Sequence, residues 1–393
     1  MKIEKFVPSI VAPAGSLEKL QTACLYGADA VYFGGQKHNL RVAAENFSEE
    51  EIIEGVQFAH KHDVKAYLLL NNFFHDSDLD EIERYLEVAR QAEVDSIIIS
   101  DPGALHLIKK YTSIPITLST QSSPANLETA LFWKKLGVTR IVMARELSIE
   151  EAGHIKKEAN IEVEMFVHGA MCMGWSGNCT ISNFVSGRDS NRGGCCHACR
   201  FKYDFPEAKV QDITFMNSKD LRGMTLIKDF IRCEIDSLKI EGRMRSLLYV
   251  AVMVKAYKKA IQAVLVEDDL SFQDALLETL KVRHRPYCEG GLRGKLTQDS
   301  IFLNNDKHSE INEGFTGKVL EVLDDYSIVL QVKNPFKIGD ALEVLTFKGD
   351  NIILNIERVL NLRRDLLTTI KPNSVVILEG KGGVEPLNLI RKK

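Results

Sequence analysis

Cysteines whose spacing could hold a metal are concentrated in one glycine-rich stretch of the sequence. Cys172, Cys179, Cys195, Cys196 and Cys199 are five of the eight cysteines in the chain. Thiolate sulfur is a soft ligand that suits zinc or an iron–sulfur cluster. A structural zinc site more often uses two Cys-x-x-Cys pairs, and only Cys196 and Cys199 have that spacing here. The irregular spacing therefore favours an iron–sulfur cluster over zinc.

Two simpler explanations of the thiols do not account for the whole group. Buried cysteines often serve as small hydrophobic side chains, and this is our interpretation of Cys24 and Cys288. One cysteine could act as a nucleophile with His168 as its base, but the other thiols would then have no role. The sequence contains no Gly-x-Ser-x-Gly elbow and no His-Glu-x-x-His zinc motif. A bound metal is the leading hypothesis, and a peptidase is the alternative.

Polar residues near the ends of apolar runs form a second group of candidates. His168 ends such a run just before the cysteines and could act as a general acid or base. Strand alternation places Glu164 on the same face as Phe166 and His168, and a buried carboxylate needs a partner. Arg145 and Arg243 could be that partner, or could bind a substrate carboxylate. The candidate catalytic residues are His168, Glu164, Arg145, Arg243, Gln121 and Glu241. Structural ion pairs and turn caps are the simpler roles for these side chains.

The elements that must position these residues follow a repeated βα pattern as far as about residue 265. Near-continuous apolar strands indicate burial on both faces, as a parallel sheet requires. The pattern fits an α/β fold with a (β/α)8, TIM-like barrel better than an open sheet. We predict this barrel over residues 1–280. The predicted strands are Ile10–Ala14, Ala30–Gly34, Lys65–Asn71, Ser96–Ser100, Ile116–Gln121, Arg140–Ala144, Glu162–Val167 and Ser237–Ile240.

Amphipathic segments between these strands predict the helices of the barrel. They are Leu17–Tyr26, Glu49–Lys61, Leu79–Ala92, Gly103–Tyr111, Asn126–Leu136, Ser148–Ala159 and Ser218–Ile231, followed by a long helix at Tyr249–Val264. Residues 169–212 form an unusually long connection after the seventh strand, and they carry the five clustered cysteines. Loops of this length are usually functional or disordered. We expect a functional loop at the catalytic rim of the barrel.

The pattern of the sequence changes near residue 281, because short predicted strands separated by turn residues replace the βα units. This pattern predicts a small all-β barrel or sandwich over residues 281–393. The predicted strands are Phe315–Leu320, Ser327–Val332, Ala341–Leu345, Asn351–Leu360 and Ser374–Leu378.

Several motifs also occur in a fixed order along the chain. Glu-x-Phe-x-His-Gly-Ala-x-Cys-x6-Cys spans Glu164–Cys179, and Asn-Arg-Gly-x-Cys-x3-Cys-Arg spans Asn191–Arg200. Ala-Pro-Ala-Gly-Ser stands at Ala12–Ser16, and Ser-Leu-Lys-Ile-Glu-Gly-Arg stands at Ser237–Arg243. Together these motifs resemble the signatures of the collagenase-like peptidases of family U32. The resemblance covers roughly residues 8–265.

This resemblance implies a function different from the family's name. The better understood branches of the family insert oxygen into RNA or into quinone precursors, and they depend on iron–sulfur clusters. The length of this chain and its small β domain resemble most the branch that converts the tRNA wobble uridine to 5-hydroxyuridine with prephenate. The resemblance therefore implies a hydroxylase whose partners are tRNA, prephenate and an electron donor that the sequence does not identify.

The resemblance also implies which cysteines hold the cluster. The expected ligands of a [4Fe–4S] cluster are Cys172, Cys179, Cys195 and Cys199. Cys196 and Cys233 have no settled role in this assignment. Cys233 is a candidate replacement for one ligand, because the quinone branch takes a ligand from a downstream cysteine.

Composition sets broader limits on the protein. Lys and Arg total 50 against 54 Asp and Glu, a net charge of −4. This balance argues against general binding of polyanions but allows a local basic face. No run approaches the ~20 apolar residues of a membrane helix, and the N-terminal residues do not resemble a signal peptide. We expect a cytoplasmic protein with reduced thiols. A non-catalytic, cluster-bearing subunit remains a third possibility.

Overall fold

The computed structural model describes residues 6–303, 314–381 and 383–393. The first five residues of the predicted barrel domain lie outside this description. Residues 304–313 and residue 382 of the predicted C-terminal domain lie outside it as well.

The N-terminal domain is built on a closed parallel barrel. The strands up to residue 303 are β1 Ser9–Pro13, β2 Ala30–Gly34, β3 Lys65–Leu70, β4 Ser96–Ile99, β5 Ile116–Leu118, β6 Arg140–Val142, β7 Glu162–Ala170, β8 Tyr203–Phe205, β9 Val210–Ile213, β10 Asp220–Arg222, β11 Ser237–Ile240 and β12 Tyr287–Cys288. Strands β1 to β7 pair in chain order, and β11 closes the ring by pairing with both β7 and β1. The predicted TIM-like barrel is confirmed. Each of its eight strands, β1 to β7 and β11, overlaps a strand predicted from the sequence.

Helices surround the barrel and cover its outer face. The helices of this domain are α1 Leu17–Leu25, α2 Glu49–Lys61, α3 Asp76–Leu79, α4 Ile82–Gln91, α5 Pro102–Tyr111, α6 Leu127–Lys135, α7 Ile149–Ala159, α8 Ile181–Ser186, α9 Ile227–Arg232, α10 Leu247–Val266 and α11 Asp269–Glu278. Of these, α8 belongs to the long connection after β7 and not to the outer face. Capping boxes at Ser48 and Ser148 start α2 and α7 at defined residues, because side chain and backbone satisfy each other's donors there. A continuous apolar core lies between strands and helices, and Val11, Tyr67 and Ile98 belong to a smaller cluster of buried residues.

The predicted helix Ser218–Ile231 is wrong in its first half. Asp220–Arg222 forms strand β10, which pairs antiparallel with the extended end of β7. The helix, α9, begins only at Ile227. The reason is a long-range partner: β7 continues to Ala170, and its free edge accepts this second chain segment. Pairing with that edge outweighs the local helical pattern.

A register shift near the end of β7 changes which way its last side chains face. Phe166 pairs with Lys239 of β11, but the next partner pair joins His168 to Ile240. Val167 is therefore an extra residue, as in a β-bulge, and alternation is interrupted there. The expectation that His168 shares a face with Glu164 and Phe166 is wrong for this reason.

The C-terminal domain is a closed antiparallel barrel. Its strands in the described residues are β13 Phe315–Val322, β14 Ser327–Val332, β15 Leu342–Leu345, β16 Ile352–Leu360, β17 Val375–Lys381 and β18 Leu389–Lys392. They pair in the order β13-β14-β17-β16-β15-β18, and the ring closes between β18 and β13. The predicted all-β domain is confirmed as a barrel, although the sequence did not predict β18. The reason is that β18 has only four residues and ends in Arg391 and Lys392, so its sequence shows no clear strand pattern.

Residues just beyond the predicted domain boundary still contact the first domain. Strand β12 pairs with β10, and Arg285 donates to the Asp220 carboxylate with its Nε atom at 2.9 Å. The boundary between residues 280 and 281 stays a prediction, but these contacts tie residues 285–288 to the barrel. Over the described parts of the chain, every helix falls short of the length and apolarity that a membrane-spanning segment needs.

Candidate functional site

The four cysteines predicted as ligands line one cavity at the carboxyl end of the barrel. Cys172 is the second residue after β7, and Cys179, Cys195 and Cys199 return to the same cavity from the long connection that follows. The cavity is open to solvent and is bordered by Met171, Met173 and Met244 among other residues. The carboxyl end of a barrel is where active sites of this fold lie.

Close backbone approaches shape the connection that carries these thiols. A Cβ atom at Gly174 would lie 2.8 Å from the Cβ of Cys179 and 2.5 Å from the carbonyl oxygen of Asn178. Gly169 has φ = 110°, and a Cβ there would lie 2.4 Å from the carbonyl oxygen of Glu241. Glycine is therefore required at both positions, and these tight turns let the segment fold back over the barrel end.

The donor set suits an iron–sulfur cluster, although the thiols do not form a preassembled metal site. Burial raises the pKa of the Cys179 and Cys199 thiols, and the neighbouring Cys172 and Cys195 sulfurs raise both pKa values further. All four thiols line the same cavity. Among the described residues, however, no three His, Cys, Asp or Glu side chains are gathered closely enough to hold a metal ion. The chemistry of four soft donors in one cavity fits the cluster, and the ligand set stays a prediction.

The two cysteines without an assigned role lie elsewhere. Cys196 points toward α8, where its Sγ lies 3.5 Å from the hydroxyls of both Ser182 and Ser186, and it does not line the cavity. Cys233 follows α9 at the opposite, amino end of the barrel. A Cβ at Gly153 of α7 would lie 2.8 Å from its Cβ. Its position there argues against Cys233 as a replacement ligand.

A second cavity lies inside the barrel mouth and adjoins the first. Its charged lining residues are Arg41, Arg145, Lys239, Glu241 and Arg243. These residues come from the loop after β2, from the end of β6 and from β11 and the turn after it. Leu40, Arg41, Gln121, Arg145 and Glu241 line both cavities and form their shared wall. We call the two spaces the cysteine cavity and the arginine cavity.

Glu241 is the carboxylate in the arginine cavity, and it is surrounded by arginines. The Nη2 atom of Arg41 donates to Glu241 Oε1 at 3.2 Å, while Glu241 Oε2 is buried without a hydrogen-bond partner. Burial alone would raise the pKa of Glu241, but Arg41, Arg145 and Arg243 outweigh it, so the pKa is lowered. Glu241 is therefore ionised at neutral pH.

Arg243 is buried and Arg145 is half-buried, and neither guanidinium group has an ion-pair partner among the described residues. Arg145 donates to the carbonyl oxygen of Ala170 at 3.1 Å, and its guanidinium lies 4.1 Å from the centroid of the Phe166 ring. Arg243 donates to the side-chain oxygens of Asn39 and Asn46, and burial lowers its pKa to about 10. The Nε atom of each arginine has no hydrogen-bond partner. Buried donors without partners are costly, so both arginines fit a bound anion.

Gln121 is held in place on the shared wall. Its side-chain oxygen accepts a hydrogen bond from Asn71 Nδ2 at 3.2 Å, and its backbone oxygen accepts one from Asn178 in the cysteine segment at 3.1 Å. The predicted strand-end amide therefore joins the barrel mouth to the connection that carries the thiols.

Comparison with known proteins identifies the family. The model of peptidase family U32 matches residues 15–301 of the chain, and the model of the family's C-terminal domain matches residues 312–391. This chain belongs to peptidase family U32. It is 38% identical to tRNA hydroxylation protein P1 of Bacillus subtilis over 98% of this chain and 94% of the relative. It is 33% identical to tRNA hydroxylation protein P of Escherichia coli over 92% and 91%, respectively. It is 34% identical to the Escherichia coli 23S rRNA 5-hydroxycytidine C2501 synthase over 86% of this chain and 52% of that enzyme.

In this U32 protein, Glu164 has partners other than the predicted arginines. It is fully buried, and Lys239 Nζ lies 2.7 Å from its Oε1 atom. Arg140 Nη1 lies 4.0 Å from its Oε2 atom. The prediction that Arg145 or Arg243 pairs with Glu164 is wrong, because these two follow the strand ends while Glu164 lies deeper in the barrel.

His168 is not at either cavity of the U32 protein. Its Nδ1 atom lies 3.1 Å from the hydroxyl of Tyr257 on α10, and its Nε2 atom lies 3.4 Å from the hydroxyl of Tyr287. The side chain is 1% exposed, and burial lowers its pKa to about 3. The bulge in β7 turns it outward, toward α10. Its position does not support the predicted role as a general acid or base.

Arg41 is a site residue that the sequence reasoning missed. It lies in the connection between β2 and α2, and the side-chain oxygen of Asn39 accepts a hydrogen bond from its backbone N–H at 2.8 Å. One signal could have found it. An arginine in a loop after a barrel strand lies at the end of the barrel that carries the other candidates.

Proposed function

We propose that this protein is an iron–sulfur-dependent RNA hydroxylase that forms 5-hydroxyuridine at the wobble position of tRNA, with prephenate as its co-substrate. One observation carries the proposal: the cysteine cavity and the arginine cavity share a wall. Relatives named for tRNA hydroxylation align over nearly the whole chain, and a relative named for rRNA hydroxylation aligns over most of it. A cofactor site that adjoins a small-anion site suits a reaction in which the cofactor and the anionic co-substrate act together.

The charge of the arginine cavity supports a dianionic co-substrate. Arg41, Arg145 and Arg243 contribute three positive charges and Glu241 one negative charge, which leaves 3 − 1 = +2. Lys239 is offset by its ion pair with Glu164. A net charge of +2 in a buried space complements a dicarboxylate such as prephenate, and guanidinium groups bind carboxylates through paired hydrogen bonds.

The cysteine cavity supports the entry of a nucleobase. It is the larger of the two spaces, with a volume of about 1060 Å³ against about 450 Å³ for the arginine cavity, and it is bordered by the methionines Met171, Met173 and Met244. Enzymes that modify a base remove it from its stack and enclose it in a pocket, and polarizable methionine side chains adapt to flat ligands. An iron–sulfur cluster held by Cys172, Cys179, Cys195 and Cys199 would supply electron transfer beside that base.

The protein's own residues would bind and orient the reactants. The guanidinium groups of Arg145 and Arg243 would each offer the unpaired Nε donor to a carboxylate. Glu241 orients Arg41 toward the shared wall, and Gln121 offers an amide to a ligand in either cavity. Burial excludes water from these contacts and so strengthens them.

The family's name does not lead us to propose a peptidase. A cysteine protease needs a histidine within hydrogen-bond reach of its thiol. In the described chain, His168 is enclosed by Tyr257 and Tyr287 and lines neither cavity. His197 does line the cysteine cavity, but among the described residues its ring has no hydrogen bond to a thiol. No observation in the structure favours a second function over the hydroxylase.

The test combines genetics with nucleoside analysis. The gene is deleted, and the strain is complemented with the wild type, with Arg145→Ala or with Arg232→Ala. Arg232 is an exposed arginine on α9 that pairs with Glu150 and serves as the matched control. We expect tRNA from the deletion and Arg145→Ala strains to lack 5-hydroxyuridine derivatives by mass spectrometry, while the other two strains retain them. Unchanged 5-hydroxyuridine in the deletion strain overturns the proposal.

A further inference from the structure

A buried lysine forms part of the arginine cavity. Lys239, on β11, lines the cavity although it is only 4% exposed. Its ammonium nitrogen lies 4.3 Å from the centroid of the Tyr32 ring and 5.8 Å from that of Phe166. Arg145 lies 4.1 Å from the same Phe166 centroid. The lysine and the anion-binding arginines therefore face one small space.

The partner of this lysine can accept a proton. Glu164 Oε1 lies 2.7 Å from Lys239 Nζ, and Glu164 Oε2 has no hydrogen-bond partner. The carboxylate is fully buried, so water does not compete for the proton that passes between the two side chains. An amine becomes a nucleophile toward carbonyl carbon once such a base removes one proton.

We propose that Lys239 forms an imine with the carbonyl group of a small 2-oxo acid bound in the arginine cavity. This inference rests on the proposed function in placing an anionic co-substrate there, and it adds the chemical class of that ligand and a covalent step. Two features define this class of ligand. The arginines would bind its carboxylates, and the lysine nitrogen would contact the carbon of its adjacent ketone.

The step balances in atoms and charge. Glu164 takes one proton from the Lys239 ammonium, and the amine nitrogen then bonds to the carbonyl carbon. The carbonyl oxygen takes a second proton from this nitrogen and becomes a hydroxyl group. It then receives the first proton back from Glu164 and leaves as water, while the nitrogen keeps its one remaining hydrogen in the C=N bond. An ammonium and a ketone thus give a protonated imine and one water molecule, with no oxidant or reductant. The imine would hold the acid covalently and withdraw electrons from its neighbouring carbon.

Reductive trapping tests the proposal on the full-length protein. The probes are 2-oxoglutarate, a dianion with a ketone, and 2-hydroxyglutarate, a dianion without one. Sodium cyanoborohydride is added, and intact mass and peptide mapping follow. We expect wild-type protein with 2-oxoglutarate to gain the mass of the acid less one oxygen atom, on the peptide that contains Lys239. With 2-hydroxyglutarate, no gain is expected, so this comparison does not depend on any variant.

Matched variants locate the reaction. Lys239→Arg keeps the positive charge beside Glu164 but cannot form an imine, and it should lose the adduct. Lys258→Arg alters a lysine on α10 that pairs with Asp29, and it should retain the adduct. Thermal melts verify that both variants fold.

Two results would overturn the inference. The first is an absent adduct, or one spread over other lysines, when calorimetry shows that 2-oxoglutarate binds. In that case Lys239 only stabilises the barrel through Glu164, and the hydroxylase proposal stands. The second is failure of both acids to bind, which would also contradict the proposed anion site in the arginine cavity. The tRNA analysis of the deletion strain tests the hydroxylase itself, independently of trapping.

Discussion

Arg41 and Glu241 form an ion pair in the wall between the two cavities. Arg41 Nη2 lies 3.2 Å from Glu241 Oε1, and each residue lines both spaces. Arg41 comes from the loop after β2, whereas Glu241 directly follows β11. Because this contact bridges the two spaces, a change in one of these residues is expected to alter ligand binding in the other space.

Substitution of Arg41 should weaken binding of a dicarboxylate. Arg41→Gln removes one of the three arginines from the arginine cavity and leaves Glu241 without its hydrogen-bond partner. A hydrogen bond to a charged group contributes about 1.5–3 kcal/mol, so we expect prephenate affinity to fall by about tenfold to a hundredfold. Calorimetric titration measures the change. Arg84→Gln, which alters an exposed arginine paired with Glu49, should leave the affinity unaltered; an equal loss in both variants would contradict the assignment.

Iron content should depend on the four cysteines of the cysteine cavity. Protein purified without oxygen is expected to hold about four iron and four sulfide ions per chain, the content of one cubane cluster. Serine at position 172, 179, 195 or 199 should remove most of the iron, because each lost thiolate removes one ligand. Cys233→Ser and Cys24→Ser should retain it, since these residues lie away from the cavity. Iron analysis and visible absorption distinguish the two sets, and iron loss in Cys233→Ser would contradict the ligand assignment.

The barrel could be predicted because its strands are short, apolar and regularly spaced. Burial on both faces requires runs such as Ser96–Ile99, and a local pattern is enough to reveal them. The same holds for the cysteine cavity, since four of its residues are recognisable by type. The orientation of His168 could not be predicted, because the bulge that turns it depends on the pairing of β7 with β11.

The ion pairs and strand pairs inside the barrel also could not be predicted from the sequence. Glu164 takes Lys239 as its partner because β7 and β11 are adjacent, and adjacency follows only from ring closure. Strand β10 was missed because its partner is the far end of β7. Long-range pairing therefore accounts for these two errors, whereas local patterns account for the correctly predicted elements.

Stability should depend on pH through His168. Its pKa is lowered to about 3 by burial, below the value of about 6.5 in an unfolded chain. The unfolded state therefore binds more protons, and the stability contribution, present above pH 6.5, is lost as pH falls. Between pH 6.5 and 5 we expect the free energy of unfolding to drop by about 2 kcal/mol from this residue.

Urea titrations at several pH values check this expectation. His168→Asn should lower stability at neutral pH but should flatten the pH dependence between 6.5 and 5. The exposed His154 provides the control variant, His154→Asn, which should keep the wild-type slope. An unchanged slope in His168→Asn would show that other groups cause the acid sensitivity.

Asp220 should be the anchor that fixes the segment after the cysteines to the barrel. It is 1% exposed, accepts hydrogen bonds from Arg285 at 2.6 Å and from Arg245 at 2.8 Å, and lies on β10. Burial acts to raise its pKa, but the two arginines outweigh that effect and the pKa is lowered. Its contribution is thus present at all pH values above the ordinary aspartate pKa, and is lost only in strong acid.

Asp220→Asn should therefore leave two arginines without their buried carboxylate. Breaking a buried ion pair from one side costs about 3–5 kcal/mol, and we expect that loss in the free energy of unfolding at both pH 7 and pH 5. Asp229→Asn breaks an exposed pair with Arg232 and should cost less than about 1 kcal/mol. Because Arg245 also lines the cysteine cavity, the Asp220 variant should hold iron less tightly as well. A loss of stability with unaltered iron affinity would show that the anchor and the cysteine cavity are independent.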